Sequence, residues 1–280
     1  MKSVVVTGSS TGIGRACALG LDRAGFTVFA GVRKVEDGES LQAAASDRLE
    51  PLIVDVADRA TISAAADRVR EATGGRLDGL VNNAGITLQG PVEGLPLDDY
   101  RRQLEVNVIG QVAVTQALLA MIRAARGRVV FISSIGDAIG LPFLSPYNAS
   151  KAAISAVADS LRQEMRPFGV QVSTVAPGSI ATEIWDKGVT AAPQLRETLG
   201  PEMNELYGDE LDKLEALAVK TGARGLHPDK VFEVVEHALT AKRPKARYVV
   251  GTEARVQAVA RTVLPKRAFD KVIQRRIDGA

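Results

Sequence analysis

The opening stretch constrains the fold most. A β-branched run at residues 3–7 (SVVVT) passes directly into TGSSTGIG at residues 7–14, and a helical pattern follows over 12–24. A strand that enters a helix through a glycine-rich turn is the first half of a βαβ unit. The same rhythm continues along the chain. Strand-like runs fall at 26–31, 49–54, 77–82, 128–133, 170–176 and 248–250, and helical patterns at 62–73, 98–125 and 147–168. The runs VVV, LIV, LV and VVFI are almost continuously apolar, which fits strands covered on both faces rather than on one. The expected architecture is an α/β, doubly wound parallel sheet of the Rossmann type. It has about seven strands, with helices on both faces.

Two stretches break the alternation. Roughly residues 183–225 are polar and weakly patterned, and roughly residues 252–280 are basic. Neither has the composition of a separate domain. Residues 1–280 are therefore read as one domain, with a helical flap at about 183–225 and an appended basic helical tail at about 252–280.

Composition narrows the chemistry. A net charge of +2 gives no electrostatic case for nucleic acid. The single Cys17 excludes an intrachain disulfide and a cysteine metal cluster, and it reads as a small core residue. With only His227 and His237, a histidine metal site or a Ser-His-Asp triad is not expected, and no metal is assigned. No run of 18 apolar residues occurs, and MKSVVVTG lacks the pattern of a secretory leader, so a cytoplasmic protein without a transmembrane segment is expected.

The turn at 7–14 has the spacing G-x-x-x-G-x-G, not the G-x-G-x-x-G spacing of the dinucleotide fingerprint. Glycines still allow the backbone to approach a pyrophosphate, and the helix N-terminus supplies free N–H groups. Selectivity is read after the second strand. An acid there would hold the ribose hydroxyls of NAD, but this chain has Val32 and then Arg33. Arginine offers several donors to a 2′-phosphate, so NADP(H) is expected over NAD(H).

Tyr147 and Lys151 stand one helical turn apart, so both side chains leave the same face. A nearby ammonium stabilises phenolate, and the expectation is a phenol of lowered pKa that exchanges protons near neutrality.

TGSSTGIG, NNAG at 82–85, Ser134 thirteen residues before Tyr147, and the Tyr147–Lys151 pair occur in one order. Together they resemble the short-chain dehydrogenase/reductase family in its compact one-domain form, strongly over about residues 1–182. FTVFAGVR and the late ARYVVG…VLPKRAFDKV are similar to its retinol and hydroxysteroid dehydrogenase branch. The resemblance implies Tyr147 as the acid/base and Lys151 as the group that lowers its pKa and bonds the nicotinamide ribose. It implies Ser134 as the donor to the substrate oxygen and Asn107 as a proton relay toward Lys151. It assigns Gly8, Ser10, Thr11, Gly12, Ile13 and Gly14 to the pyrophosphate turn, and Asp55 and Val56 to the adenine. It also places Asn83, Ala84 and Gly85 beside the adenine ribose. Pro177, Gly178, Ile180 and Thr182 would lie around the nicotinamide.

The implied activity is hydride transfer between NADP(H) and a lipophilic alcohol or ketone that meets Ser134 and Tyr147. The alternatives are an NAD-dependent member of the same family and a non-catalytic dinucleotide sensor. Leu88, Ile135, Ile139, Leu141, Phe143, Trp185, Leu195, Met203 and Tyr207 are the expected apolar pocket, or else core. Small residues on the long helices at 98–125 and 147–168 suggest a homodimer or homotetramer. The tail is expected to pack on the body or on a neighbouring subunit, with peripheral contact to an anionic membrane as the alternative.

Overall fold

The protein is described from a computed structural model that covers residues 2–278, apart from the side chains of residues 184–189, 191 and 276. Seven parallel strands form one sheet in the order β3-β2-β1-β4-β5-β6-β7. They are β1 (Ser3–Val6), β2 (Thr27–Val32), β3 (Leu49–Ile53), β4 (Gly79–Asn82), β5 (Arg128–Ile132), β6 (Gln171–Pro177) and β7 (Arg247–Val250). The order reverses after β3, as β1 sits between β2 and β4, with Val5 aligned to Phe29 and to Leu80. Ligand crevices in open α/β sheets form at the carboxyl ends of strands flanking such a reversal.

The helices are α1 (Gly12–Arg23), α2 (Val35–Gln42), α3 (Arg59–Thr73), α4 (Leu97–Leu104), α5 (Gln111–Ala125), α6 (Ser145–Met165), α7 (Glu183–Ala223), α8 (Asp229–Thr240), α9 (Thr252–Val263) and α10 (Lys266–Asp278). Local chemistry sets several of their ends. The Asp58 carboxylate caps α3 by accepting from the Ala60 N–H, and Gly74 closes that helix in the left-handed conformation. One π turn, Glu105–Gly110, joins α4 to α5. The combined helix from Leu97 to Ala125 is long and apolar enough to cross a bilayer by length and composition. Here Val114, Leu118, Met121 and Ile122 on it are buried in the core. Helices α2 and α8 are additions to the sequence reading, because α2 is short and polar and α8 follows the long flap.

Strand side chains alternate between two cores, as the two-residue period requires. Val4, Val6, Val28, Ala30, Val130 and Ile132 face one cluster with Cys17 and Leu21 of α1 and Val231 and Val235 of α8. Val5, Phe29, Leu80, Val129 and Phe131 face the other, with Val114 and Leu118 of α5 and Ile154 and Leu161 of α6. Burial, with a smaller contribution from the negative charge of Asp229, pushes the Cys17 thiol up to about 12, as suits a core residue.

The flap is α7, bent where Gly200 leaves helical geometry at φ 73° and Pro201 follows. The tail forms α9 and α10. It is not a loose appendage: Phe269, Ile273 and Ile277 of α10 are buried against Ile139, with Ile135, Leu141 and Leu217 at the edge of the same cluster. Deleting residues 265–280 therefore uncovers Ile139 and removes three buried side chains, each contributing about 1.5–3 kcal/mol. Urea unfolding should show a loss of about 3 kcal/mol or more. An unchanged midpoint would make the tail peripheral.

Candidate active site

The carboxyl ends of β1, β4, β5 and β6 carry the candidate residues to one edge of the sheet. After β1 the chain turns at Gly8, whose φ is +66°. A side chain at Gly14 would meet the Gly8 carbonyl at 2.0 Å, so α1 can approach the turn only because glycine stands there. Ser9 fixes the turn by donating to the Val6 carbonyl at 2.9 Å. Thr11 is the N-cap of α1 yet makes no side-chain cap bond, and Ile13 packs on the core. The first N–H groups of α1 are thus not capped by a side chain and remain suited to an anion.

Asn83 clamps this turn. Its amide donates to the Thr7 and Gly8 carbonyls at 3.0 Å each. In return the Thr7 hydroxyl accepts from the N–H groups of Asn83 and Ala84 at 3.0 and 3.1 Å.

The loop after β4 is held from its other side by three buried amides on one face of the long helix. Gln111 donates to the Ala84 carbonyl at 2.8 Å. Asn107 accepts from the Ile86 N–H at 2.8 Å and donates to the Ile86 carbonyl and the Ser150 hydroxyl at 3.0 Å. Gln103 accepts from the Leu88 N–H and donates to the Ile86 carbonyl, both at 2.7 Å. The Asn107 side chain is thus held by the Ile86 backbone and the Ser150 hydroxyl. Gln103 and Gln111 are absent from the sequence reading. Their signal is there nonetheless: amides at i, i+4 and i+8 of a helix that otherwise buries apolar residues.

The other candidates have varied surroundings. Asp55 accepts from the Ala57 N–H at 2.9 Å and so shapes the turn after β3. Val56 is buried, and its carbonyl lies where a side chain at Gly110 would fall, at 2.6 Å. Gly85 backs onto the Asn107 amide, Gly178 bonds to the Val250 carbonyl, and Ile180 is buried in the core. Thr182, the N-cap of α7, faces Gly12 across the turn, while Ser10 is half-buried. Arg33 is exposed just beyond β2 and has no hydrogen bond or ion pair among the described residues.

Ser134, Tyr147 and Lys151 converge. The Ser134 oxygen accepts from the Gly136 N–H at 3.0 Å, which leaves its proton free to donate, and its hydroxyl is near enough to the Tyr147 phenol to lower the phenol's pKa. The Lys151 side chain is 5% exposed, and its Nζ donates to the Ile132 carbonyl at 2.9 Å while lying 5.7 Å from the Tyr147 ring centre. Burial brings Lys151 down to about 8, with Asp137 pulling upward.

The expected lowering of the phenol pKa is corrected. Burial holds Tyr147 above its ordinary value, the Ser134 bond works against that rise, and the Asp137 charge adds to it. The lysine charge is directed at a backbone carbonyl, so it does not overcome these effects. Asp137 and Arg247 are also absent from the sequence reading. The Asp137 side chain is 3% exposed and accepts both guanidinium nitrogens of Arg247, at 2.6 and 2.7 Å, across 110 residues of chain. No local pattern announces that pair.

Of the expected pocket residues, Ile135, Ile139 and Leu141 meet the tail, and Phe143 packs edge-on against Tyr207 of the flap at 6.0 Å. Leu195 and Met203 of the flap approach the loop at Gly90 and Gly94. The Trp185 side chain lies outside the described residues.

The model of the short chain dehydrogenase family matches residues 2–192. The chain belongs to this family. It is 34% identical over 278 residues to an NADPH-dependent 3-dehydrocapnine reductase from Ornithobacterium rhinotracheale, covering 97% of this chain and 96% of that one. It is 39% identical to retinol dehydrogenase 5 from Mus musculus, covering 96% and 87%. A solved short-chain dehydrogenase from Streptomyces avermitilis superposes with a TM-score of 0.75 at 30% identity, covering 98% and 97%. Retinol and hydroxysteroid dehydrogenases are among the relatives, so the expected branch stands. The protein is a short-chain oxidoreductase of alcohols and ketones.

The amide ladder has a measurable role in this dehydrogenase. Asn107→Ala leaves the Ile86 N–H without its acceptor and removes one donor from the Ser150 hydroxyl, while the Ile86 carbonyl keeps Gln103. Each buried polar group left unpaired costs about 1–3 kcal/mol. Chemical unfolding should show at least a loss of about 1 kcal/mol, whereas wild-type stability would mean that the loop is held without the ladder.

Proposed function

We propose that the protein transfers hydride between NADP(H) and a lipophilic alcohol or ketone, with Tyr147 as proton donor and acceptor. The observation that carries this reading is the convergence of the Ser134 hydroxyl, the Tyr147 phenol and the buried Lys151 amine at the sheet edge that also bears the glycine turn. The turn fits a dinucleotide pyrophosphate: glycine backbone faces Thr182, and the first N–H groups of α1 have no side-chain cap. Gly8, Ser10, Thr11, Gly12, Ile13 and Gly14 would hold it, with Asp55, Val56, Asn83, Ala84, Gly85, Pro177, Gly178, Ile180 and Thr182 along its length. When bound, the nicotinamide supplies or accepts the hydride.

The chain's own groups manage the oxygen. Ser134 donates a hydrogen bond to it and stabilises developing negative charge. Tyr147 gives it a proton in the reducing direction and takes one back in the oxidising direction. Because its pKa is raised, the phenol is protonated at neutral pH and ready for reduction. Alcohol oxidation needs the phenolate, so oxidation should rise as pH climbs through the alkaline range while ketone reduction falls. A pH profile with the same trend in both directions would contradict this assignment.

NADP(H) is favoured by Arg33, exposed beyond β2 with no acid at Val32, and by a relative named for NADPH dependence. A lipophilic substrate is supported by the apolar side chains of the flap and tail around Ile139 and Phe143. The names of relatives acting on retinol and hydroxysteroids point the same way. A homo-oligomer is supported by exposed Leu104 and Ile109 on the long helix.

Retinaldehyde and a 17-ketosteroid, each assayed with NADPH and with NADH, form the direct test. Tyr147→Phe should lower turnover by about 10²-fold or more while the fluorescence change on NADPH binding persists; full activity would sink the acid/base role. Arg33→Ala should weaken NADPH at least about tenfold more than NADH. Equal effects would favour an NAD enzyme.

A further inference from the structure

We propose that the elbow between α9 and α10 is a docking surface for an anionic lipid membrane.

The tail buries one face and leaves the other to solvent. On α10, Phe269, Ile273 and Ile277 pack against Ile139. Arg267, Lys271 and Arg275 recur every four residues on the other side of that helix and are exposed. Neither these three nor Lys266 has a side-chain hydrogen bond or ion pair among the described residues. On α9 the buried residue is Ala254, and the far side carries Val256, Val259 and Val263, which are 63%, 63% and 73% exposed. Their i, i+3, i+7 spacing makes one stripe. The two surfaces meet at the elbow, where exposed Val263 and Leu264 run almost directly into exposed Lys266 and Arg267. Val272, half exposed on α10, adds to the apolar part.

Charge is distributed to match. Residues 252–280 hold seven basic residues and three acidic ones, Glu253, Asp270 and Asp278, a formal charge of +4 against +2 for the whole chain. The basic surplus therefore resides in this segment, and the rest of the protein is net acidic. Exposed valines gain from an apolar partner, and unpaired cations gain from an anionic one. An acidic bilayer offers both at once: its headgroups attract lysine and arginine, and its acyl boundary takes apolar side chains. A second copy of this chain is a poor occupant, because a two-fold contact sets the same patch against itself and +4 would meet +4. Nucleic acid would use the cations and leave the valines idle. A bilayer is also where a lipophilic substrate partitions, and α10 ties the docking surface to the loop that starts at Ser134. That consequence rests on the proposed function; the docking does not.

The test is flotation of the full-length protein with vesicles of phosphatidylcholine, with and without phosphatidylglycerol, at low and high salt. The protein should float with the acidic vesicles at low salt and be released from them by high salt. Replacing Arg267, Lys271 and Arg275 together by Gln should weaken that binding by about tenfold or more. Val259→Ser with Val263→Ser should weaken it by about tenfold as well. All five positions are exposed, so the urea midpoint reports that both variants remain folded. Absence from acidic vesicles at low salt overturns the proposal, as does equal binding to both vesicle types. Binding lost in the charge variant but kept in the valine variant makes the surface a general polyanion site and overturns it too. If sedimentation velocity shows a dimer that the valine variant dissociates, and no vesicle binding, the occupant is a second copy. Flotation involves no turnover, so its outcome is separate from the assays of Tyr147→Phe and Arg33→Ala.

Discussion

The short loop after β4 is the member on which the site depends, because it is hydrogen-bonded from both sides at once. Asn83 ties it to the Thr7 and Gly8 carbonyls of the glycine turn. Gln111, Asn107 and Gln103 tie Ala84, Ile86 and Leu88 to the long helix. From Asn107 the chain of bonds continues to the Ser150 hydroxyl, which donates to the Tyr147 carbonyl at 2.7 Å. A continuous path of polar contacts therefore runs from the nucleotide turn to the helix bearing Tyr147 and Lys151. Buried polar groups must find partners, and here each partner is a backbone segment that has to be placed accurately.

The same economy governs charge. The site contains a buried amine, a half-buried phenol and a buried carboxylate, and the carboxylate charge acts on the other two. Burial alone would strip Lys151 of its proton more readily and would hold Tyr147 protonated. Ser134 moderates the phenol by a hydrogen bond, and the Asp137–Arg247 pair sets the background charge. Activation of the phenol is thus not a property of two residues one turn apart. It depends on which direction the amine is aimed and on what lies behind it.

The apolar surroundings of the loop after β5 are assembled from the last parts of the chain. Flap residues pack on the loops at Gly90, Gly94 and Phe143, and α10 covers Ile139. These contacts are apolar and come from elements far apart in sequence. They explain why a stretch that reads as a basic tail also presents Phe269, Ile273 and Ile277 on one face, at the spacing of a helix that buries a stripe.

The sequence by itself determined the strand-and-helix alternation, the glycine turn and the Tyr147–Lys151 pair, because each is a local pattern whose period or spacing has a direct conformational meaning, while Ser134 entered through the family resemblance. It also carried Asn83 and Asn107 as positions, though not their partners. Tertiary structure decided what those partners are: Asn107 turned to Ile86 and Ser150, Lys151 to the Ile132 carbonyl, and Asp137 to Arg247 from the far strand. It also reversed the expected shift of the Tyr147 phenol. Spacing specifies which side chains share a face, but burial and long-range charge are properties of the packed molecule, and those two quantities set a pKa.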